Sequence, residues 1–474
     1  MYFERVFDRE LAQASYVIGC QESGEALVVD PRRDVDVYLR IAEKEDLRIT
    51  HVTETHIHAD YLSGSRELVH ATGARLLLSD EGGPDWQYEF EHEGLHDGDE
   101  FYIGNIHIRA IHTPGHTPEH LTFIVTDTPA GNAPTMALTG DFVFVGDVGR
   151  PDLLEKAAQV EGAQEQGARE LYRSLQGVRE LPDYLAVWPG HGAGSACGKS
   201  LGAVPSSTLG YELETNWALR APNESSFVSQ ILEGQPEPPS YFGRMKVLNR
   251  QGPPILGELP APKALSPTEL EKLQAEGAQL VDARPKEEFN QGHVPGSINV
   301  QADKGFSNWA GWTVDPDRPI VLIAPRDRID ELVRNLIGVG LDRIAGYLPD
   351  ISSWPESGRE LETLAMLDPA ELHQQKDSYE IIDVRGQEEW NAGHIPGARH
   401  IHVGYLRDRL GELPTDRPLA LHCASGARSN LAASILQAEG VKNVTNVSGG
   451  IMAWKAAGLP VTTEQEQGAA VSGQ

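Results

Sequence analysis

With 474 residues, 70 acidic side chains against 40 basic ones and a formal charge of −30, the chain is too long for one ordinary domain. It is also too negative to coat nucleic-acid phosphates, which are held mainly by Lys and Arg. Three cysteines (Cys20, Cys197, Cys423) make an odd, sparse set that reads as reduced thiols, and neither a signal-peptide run nor a membrane span is visible, so a cytoplasmic protein without a membrane partner is expected.

Residues 1 to about 230 alternate short β-type runs (EALVVD, ARLLLS, NIHIRAIHT, LTFIVTD, YLAVWPG) with helical stretches such as YLRIAEKEDL, and polar residues cluster in the loops after the strands. Prolines recur from Gly234 to Pro267, predicting a semi-extended connector and a boundary near residue 260. Beyond it the chain repeats itself. DARPKEEFNQGHVPGSINV (282–300) matches DVRGQEEWNAGHIPGARHI (383–401), pairing Asp282 with Asp383, Arg284 with Arg385, His293 with His394 and Gly296 with Gly397 at an offset of 101 residues. A period that long is a duplicated domain, since solenoid units run roughly 20 to 50 residues. Each copy has the strand and helix rhythm of a parallel sheet covered on both faces. The expected domains are 1–258 including the connector, 266–362 and 366–464, with 465–474 as a disordered tail.

Several strand ends of the first domain carry metal-binding residue types. THIHADYLSG supplies His56, His58 and Asp60, TPGHTPEH supplies His112, His116 and His120, ALTGD ends at Asp141, and VWPGHGAG holds His191. A single histidine is more often a packing or hydrogen-bonding residue than a ligand. Four such strand ends, each flanked by Gly or Pro, are hard to explain by packing alone. Arg150 and Asp152 of GRPD read either as a buried loop ion pair or as groups meeting an anionic substrate. Tyr241 and Phe242 read as packing or as a cover over a substrate pocket. Cys197 is either a buried loop residue or a second thiol near the histidines, and Cys20 is expected as a core thiol of an early strand.

In their order, HIHAD, GHTPEH, TGD and PGHG resemble the metallo-β-lactamase fold, an αββα sandwich. The run TGDFVFVGDVGRPDLL, with PGHGAGSACGKSLG and the attached repeat, resembles the persulfide dioxygenases fused to rhodanese domains, and the resemblance spans nearly the whole chain. It implies an α/β multidomain protein in which the sandwich precedes two doubly wound parallel-sheet rhodanese domains. It also implies one ferrous ion, Fe(II), per chain, held by His56, His116 and Asp141, a set that leaves positions open for a persulfide sulfur and dioxygen. Glyoxalase-type relatives bind two ions with His-x-His-x-Asp-His. Here Tyr61 stands at the last position, which argues for one ion. His58, Asp60 and His191 are then supporting groups or alternative ligands, His58 in particular remaining open as a direct ligand, and Arg150 is placed among the catalytic residues. The implied substrates are a low-molecular-weight thiol persulfide such as glutathione persulfide, and dioxygen, with sulfite and thiosulfate as products or sulfur donors. A zinc thioester hydrolase and a non-enzymatic sulfur sensor are the rivals, the carrier thiol is not specified, and homo-oligomerisation is left open.

In LHCASGARSN, Cys423 follows an apolar strand and precedes a helix, with Arg428 five residues on, a setting that suits a nucleophilic thiolate. The flanking DVR, GHIPGA and VSGGIMAW runs resemble an active rhodanese, with Cys423 and Arg428 catalytic. Aligning PIVLIAPRDR with PLALHCASGA sets Ala324 opposite Cys423, with Pro325 removing a backbone donor, so the middle copy resembles an inactive rhodanese.

Overall fold

The computed structural model describes residues 1–156, 162–195, 197–198 and 201–463. The expected tail, 465–474, lies outside them. The chain forms two compact units, Met1–Leu259 with Arg334–Gly340, and Pro260–Val333 with Leu341–Gln474. No helix among the described residues is long and apolar enough to cross a membrane.

The first unit holds two six-stranded sheets. One contains β1 (Tyr2–Asp8), β2 (Gln13–Cys20), β3 (Glu25–Val29), β4 (Arg48–Thr53), β5 (Arg75–Ser79) and β6 (Glu93–Leu95) in sequence order. The other contains β7 (Glu100–Ile103), β8 (Ile106–His112), β9 (Leu121–Asp127), β10 (Met136–Gly140), β11 (Ala186–Pro189) and β12 (Ser207–Thr208), also in sequence order along the sheet. Alternate residues of both sheets, among them Tyr16, Leu27, Ile108 and Phe123, fill the space between them. The opposite face of the first sheet is covered by α1 (Asp36–Lys44) and α2 (Ser65–Thr72), through Tyr38, Ile41 and Leu68. Four more helices follow: α3 (Leu153–Lys156), α4 (Ala163–Val178), α5 (Leu209–Thr215) and α6 (Glu224–Leu232). Of these, α4 and α6 cover the second sheet with Leu171, Leu175 and Phe227. The result is the expected αββα sandwich.

The connector departs from expectation. Between its prolines lies α7 (Tyr241–Gln251), an eleven-residue helix that buries Tyr241, Phe242, Met245 and Asn249. The prolines fall at 236, 238 and 239 before it and at 253 and 254 after it, so they delimit a helix instead of extending the whole segment.

The second unit contains two parallel sheets. The middle domain runs α8 (Pro267–Ala275), β13 (Gln279–Asp282), α9 (Lys286–Gln291), β14 (Ser297–Asn299), α10 (Phe306–Thr313), β15 (Ile320–Ile323), α11 (Arg326–Gly338), β16 (Ile344–Leu348) and α12 (Ser353–Glu356). Its strand order is β14-β13-β15-β16. The last domain runs β17 (Ala365–Leu367), α13 (Pro369–Gln374), β18 (Glu380–Asp383), α14 (Gln387–Asn391), β19 (Arg399–His400), β20 (Leu419–His422), α15 (Ala427–Ala438), β21 (Val444–Val447) and α16 (Gly450–Ala456). Its order is β17-β21-β20-β18-β19. The repeat is visible atom by atom. Asp282 grips Arg284, whose Nη2 donates to the Gly292 carbonyl at 3.0 Å; Asp383 grips Arg385, whose Nη2 donates to Gly393 at 2.9 Å. His293 stacks on Phe289 and His394 on Trp390, with centroids 3.8 and 3.4 Å apart.

Candidate metal centre and cysteine loop

The loop after β4 carries His56 and His58 into the first unit's interior, and Asp30, at the end of β3, organises it. Asp30 accepts hydrogen bonds from the Thr55 N–H (2.7 Å), the Thr55 hydroxyl (3.0 Å) and His58 Nε2 (3.1 Å). Because the Thr55 proton is committed to Asp30, Thr55 Oγ1 can only accept from His56 Nδ1, 3.0 Å away. His56 Nε2 is therefore a bare acceptor. By the same logic His116 Nδ1 donates to the Arg150 carbonyl (3.1 Å), leaving its Nε2 without a proton, and His191 Nδ1 donates to the Ala12 carbonyl (3.1 Å), which turns its Nε2 toward the site.

These nitrogens meet carboxylates that lack donors. His116 Nε2 lies 3.5 Å from Asp141 Oδ2, and His191 Nε2 lies 3.5 Å from Asp141 Oδ1 and 3.3 Å from Asp60 Oδ2. All four oxygens of Asp60 and Asp141 are buried without a hydrogen-bond partner among the described residues. His56, His116, Asp60 and Asp141 thus bring acceptors to one region, with His191 beside the two carboxylates, which is costly unless a cation stands among them. The ligand atoms of His56, His116 and Asp141 all lie within 4.8 Å of one another, as do those of Asp60, His191 and Cys197. Both sets are buried. Burial together with the neighbouring imidazoles holds His56 well below the usual histidine range, and burial lowers His116, which keeps both neutral as ligands must be. Close packing fixes Asp141: a side chain at Gly190 would press on its Oδ1, and one at Gly149 on its carbonyl.

The residues expected to matter are placed as follows. His56, His116 and Asp141 come together. His58 stands outside that set, its Nε2 on Asp30 and its Nδ1 without a hydrogen-bond partner among the described residues, with its ring 4.1 Å from that of His56. Asp60 and His191 face each other beside Asp141, and Cys197 joins them, its thiol pushed well above its usual range by burial. The Tyr61 hydroxyl donates to the Asp30 carbonyl at 3.3 Å. Arg150 is buried with Asp152, and its guanidinium also donates to the Pro236 carbonyl. It is the Arg150 backbone carbonyl that meets His116. Sequence reading does not single out three contributors, Asp30, Glu119 and Asn249, and His120 takes a supporting place behind Asp141. His120 Nε2 accepts from the Asp141 N–H (3.2 Å), and Glu119 accepts from the Ile57 N–H (2.7 Å). From α7, Asn249 accepts from the Ser63 N–H and donates to the His58 and Tyr61 carbonyls. The VVD strand ending signals Asp30; nothing local signals Asn249.

In the last domain the sulfur of Cys423 receives the Gly426 N–H at 3.1 Å, and the Arg428 guanidinium is held in two bonds of 2.5 and 2.7 Å by Glu389. Strand register equates the two copies: Asp383 pairs with His422 and Asp282 with Ile323, so Ala324 takes the place of Cys423. Four residues, Cys423 to Gly426, separate β20 from α15, whereas only Ala324 and Pro325 separate β15 from α11. The middle loop is shorter by two residues, which residue-by-residue alignment does not reveal.

Residues 8–191 match the metallo-beta-lactamase superfamily, and 266–344 and 368–457 each match the rhodanese-like domain. The solved metallo-beta-lactamase of Staphylococcus aureus subsp. aureus COL is 43% identical with a TM-score of 0.69, covering 74% of this chain and 99% of that one. A probable metallo-hydrolase of Burkholderia pseudomallei is 30% identical over 224 residues, which are 40% of this chain and 72% of that protein. The mitochondrial persulfide dioxygenase ETHE1 of Bos taurus is 29% identical over 198 residues, 40% of this chain and 66% of that protein. The chain belongs to the metallo-beta-lactamase superfamily, its metallo-beta-lactamase domain being followed by two rhodanese-like domains.

Proposed function

We propose that the chain is a persulfide dioxygenase joined to a sulfurtransferase, an enzyme of sulfur metabolism. The observation that carries this is the convergence of proton-free nitrogens and unpartnered carboxylates around Asp141, in a domain similar to a named persulfide dioxygenase. His56, His116 and Asp141 would hold one ferrous ion. Bound there, the ion supplies open coordination positions and redox chemistry for dioxygen. The chain's own part is to hold the acceptors still: Thr55, the Arg150 carbonyl and His120 orient His56, His116 and Asp141 respectively. Burial keeps bulk water from the site. The balanced reaction takes one persulfide RSSH, one O2 and one water to the thiol RSH and sulfurous acid, which ionises to sulfite.

In the last domain Cys423 Sγ attacks the outer sulfur of thiosulfate. The S–S bond breaks, its electron pair leaves on sulfite, and a persulfide remains on Cys423 for transfer to a thiol. Arg428 offers the positive charge for the anion, in competition with Glu389. The middle domain, with Ala324 and a shortened loop, has no side chain there to carry sulfur.

A second reading is favoured by the set Asp60, His191 and Cys197: a two-ion hydrolase of thioesters. One experiment separates them. Iron-loaded protein is expected to take up oxygen on addition of glutathione persulfide with about one iron per chain, and zinc-loaded protein is not. Two tightly held ions per chain, with thioester hydrolysis and no oxygen uptake, would replace the first reading by the second.

A further inference from the structure

A line of four buried polar side chains runs from the middle domain to the cysteine loop of the last one. Asn299, at the end of β14, donates from Nδ2 to the carbonyls of Asp282 (3.0 Å) and Arg284 (2.9 Å). Carbonyls only accept, so Asn299 Oδ1 must face away from them, and it takes a hydrogen bond from Asn430 Nδ2 at 2.9 Å. Asn430 Oδ1 in turn accepts from Asn446 Nδ2 (3.0 Å), which also donates to the Gly426 carbonyl (3.1 Å). Asn446 Oδ1 is left to accept the Ser429 hydroxyl at 2.7 Å. Backbone carbonyls at both ends therefore dictate the direction of every amide in the line. Asn299 is 2% exposed, and Asn430, Asn446 and Ser429 are fully buried.

The line ends on the groups that surround the sulfur. Gly426 stands at φ +95°, a conformation available mainly to glycine, and directs its N–H to Cys423 Sγ at 3.1 Å. Its carbonyl is the one to which Asn446 Nδ2 donates, alongside the Asn430 N–H. With its proton committed to Asn446, Ser429 presents only oxygen lone pairs to the sulfur, 3.5 Å away. The Asn430 N–H reaches the Gly426 carbonyl at 3.3 Å, and the carbonyl and the N–H lie on either side of the Gly426 Cα. A misdirected Asn446 would therefore loosen one of two holds on the glycine and let its N–H drift from the sulfur.

We propose that Asn299, in a domain without a sulfur-bearing side chain of its own, is a positioning residue for Cys423, acting through Asn430 and Asn446 on the backbone of Gly426. For its consequence in turnover this rests on the sulfurtransferase reading, but the primary measurement does not. Cys423 in the full-length chain is alkylated with iodoacetamide at pH 7, and its modification is followed by peptide mass spectrometry, which separates it from Cys20 and Cys197. Asn299→Ala is expected to slow alkylation about tenfold, the effect of one lost buried hydrogen bond on the donor that supports the thiolate. In an Asn446→Ala background the same change is expected to do nothing more, because the line is already cut. Independent, multiplying effects would overturn the proposal. Ser434→Ala removes a hydrogen bond made to the Asn299 N–H (2.8 Å) that lies off the line, and it should leave the rate within about twofold. If Ser434→Ala slows alkylation as much as Asn299→Ala does, the interface as a whole is responsible and the proposal fails. Should Asn299→Ala not fold, Asn430→Ala cuts the next link and is judged by the same criteria. In thiosulfate turnover, Asn299→Ala should lower kcat and leave KM in place; a fall in binding alone would count against positioning. Absence of turnover in the unaltered protein would remove the sulfurtransferase reading and leave the alkylation result to stand by itself.

Discussion

Replacing Asn249 by alanine tests whether α7 holds the histidine loop in place. The side chain is 1% exposed and makes three hydrogen bonds to the loop: 2.9 Å from the Ser63 N–H, 2.7 Å to the His58 carbonyl and 2.8 Å to the Tyr61 carbonyl. Alanine leaves one buried donor and two buried acceptors without partners. At roughly 1 kcal/mol each after local relaxation, the loss is about 3 kcal/mol, or about two orders of magnitude in the opening equilibrium of the loop. Hydrogen exchange resolved to the Ser63 amide reads this directly, and its protection should fall by about a hundredfold, while β9 keeps its protection. Asn249→Asp retains an acceptor for Ser63 and loses both donors, so Ser63 should stay better protected than in the alanine variant. Unchanged Ser63 exchange in Asn249→Ala would refute the docking role. Uniform loss of protection through the first unit would show global destabilisation in its place.

His116→Ala should abolish oxygen uptake and spare sulfur transfer from thiosulfate, whereas Cys423→Ser should do the reverse; simultaneous loss of oxygen uptake in Cys423→Ser would break the two-site scheme. Ala324→Cys, made with Cys423→Ser, should show no sulfur transfer, because the two-residue loop before α11 has no counterpart to the Gly426 donor; measurable transfer would contradict that reading of the loop. Burial lifts the Glu119 carboxyl to about 7, so the stability it contributes is complete below its unfolded value near 4.5 and is lost as the pH rises through about 7. Glu119→Gln keeps an acceptor for the Ile57 N–H and should flatten the decline of the first unit's melting temperature between about pH 5 and 8; an unchanged slope would locate the titrating group elsewhere.

The parts legible in sequence were those in which chemistry and local structure coincide. His116, Asp141 and His191 sit beside Gly or Pro, His56 and His58 lie one residue apart in THIHAD, and the DxR and GH motifs of each copy lie within twenty residues of each other, so short windows contain them whole. The unread parts depend on distance. Asn249 reaches His58 across 191 residues, and Asn430 reaches Asn299 across 131, and no window joins such pairs. In the connector, proline content suggests an extended segment, whereas the positions of the prolines mark the two ends of α7. Tyr61 was informative only as a missing imidazole. Its hydroxyl reinforces the Asp30 turn, and the set Asp60, His191 and Cys197 forms without it.

The paired grip of Asp282 on Arg284 and of Asp383 on Arg385 separates scaffold from reagent within one molecule. Both copies close the same clasp onto a glycine carbonyl and stack the same histidine on an aromatic ring, yet only one carries a cysteine behind it. The clasp is therefore a chassis part, and under the proposed sulfurtransferase reading the four residues from Cys423 to Gly426 are the working cartridge. Transplanting those four residues in place of Ala324 and Pro325 would change loop length and chemistry together and leave the clasp alone. Within this chain the clasp marks the chassis in both copies, and the loop that follows β15 in one and β20 in the other is where they differ.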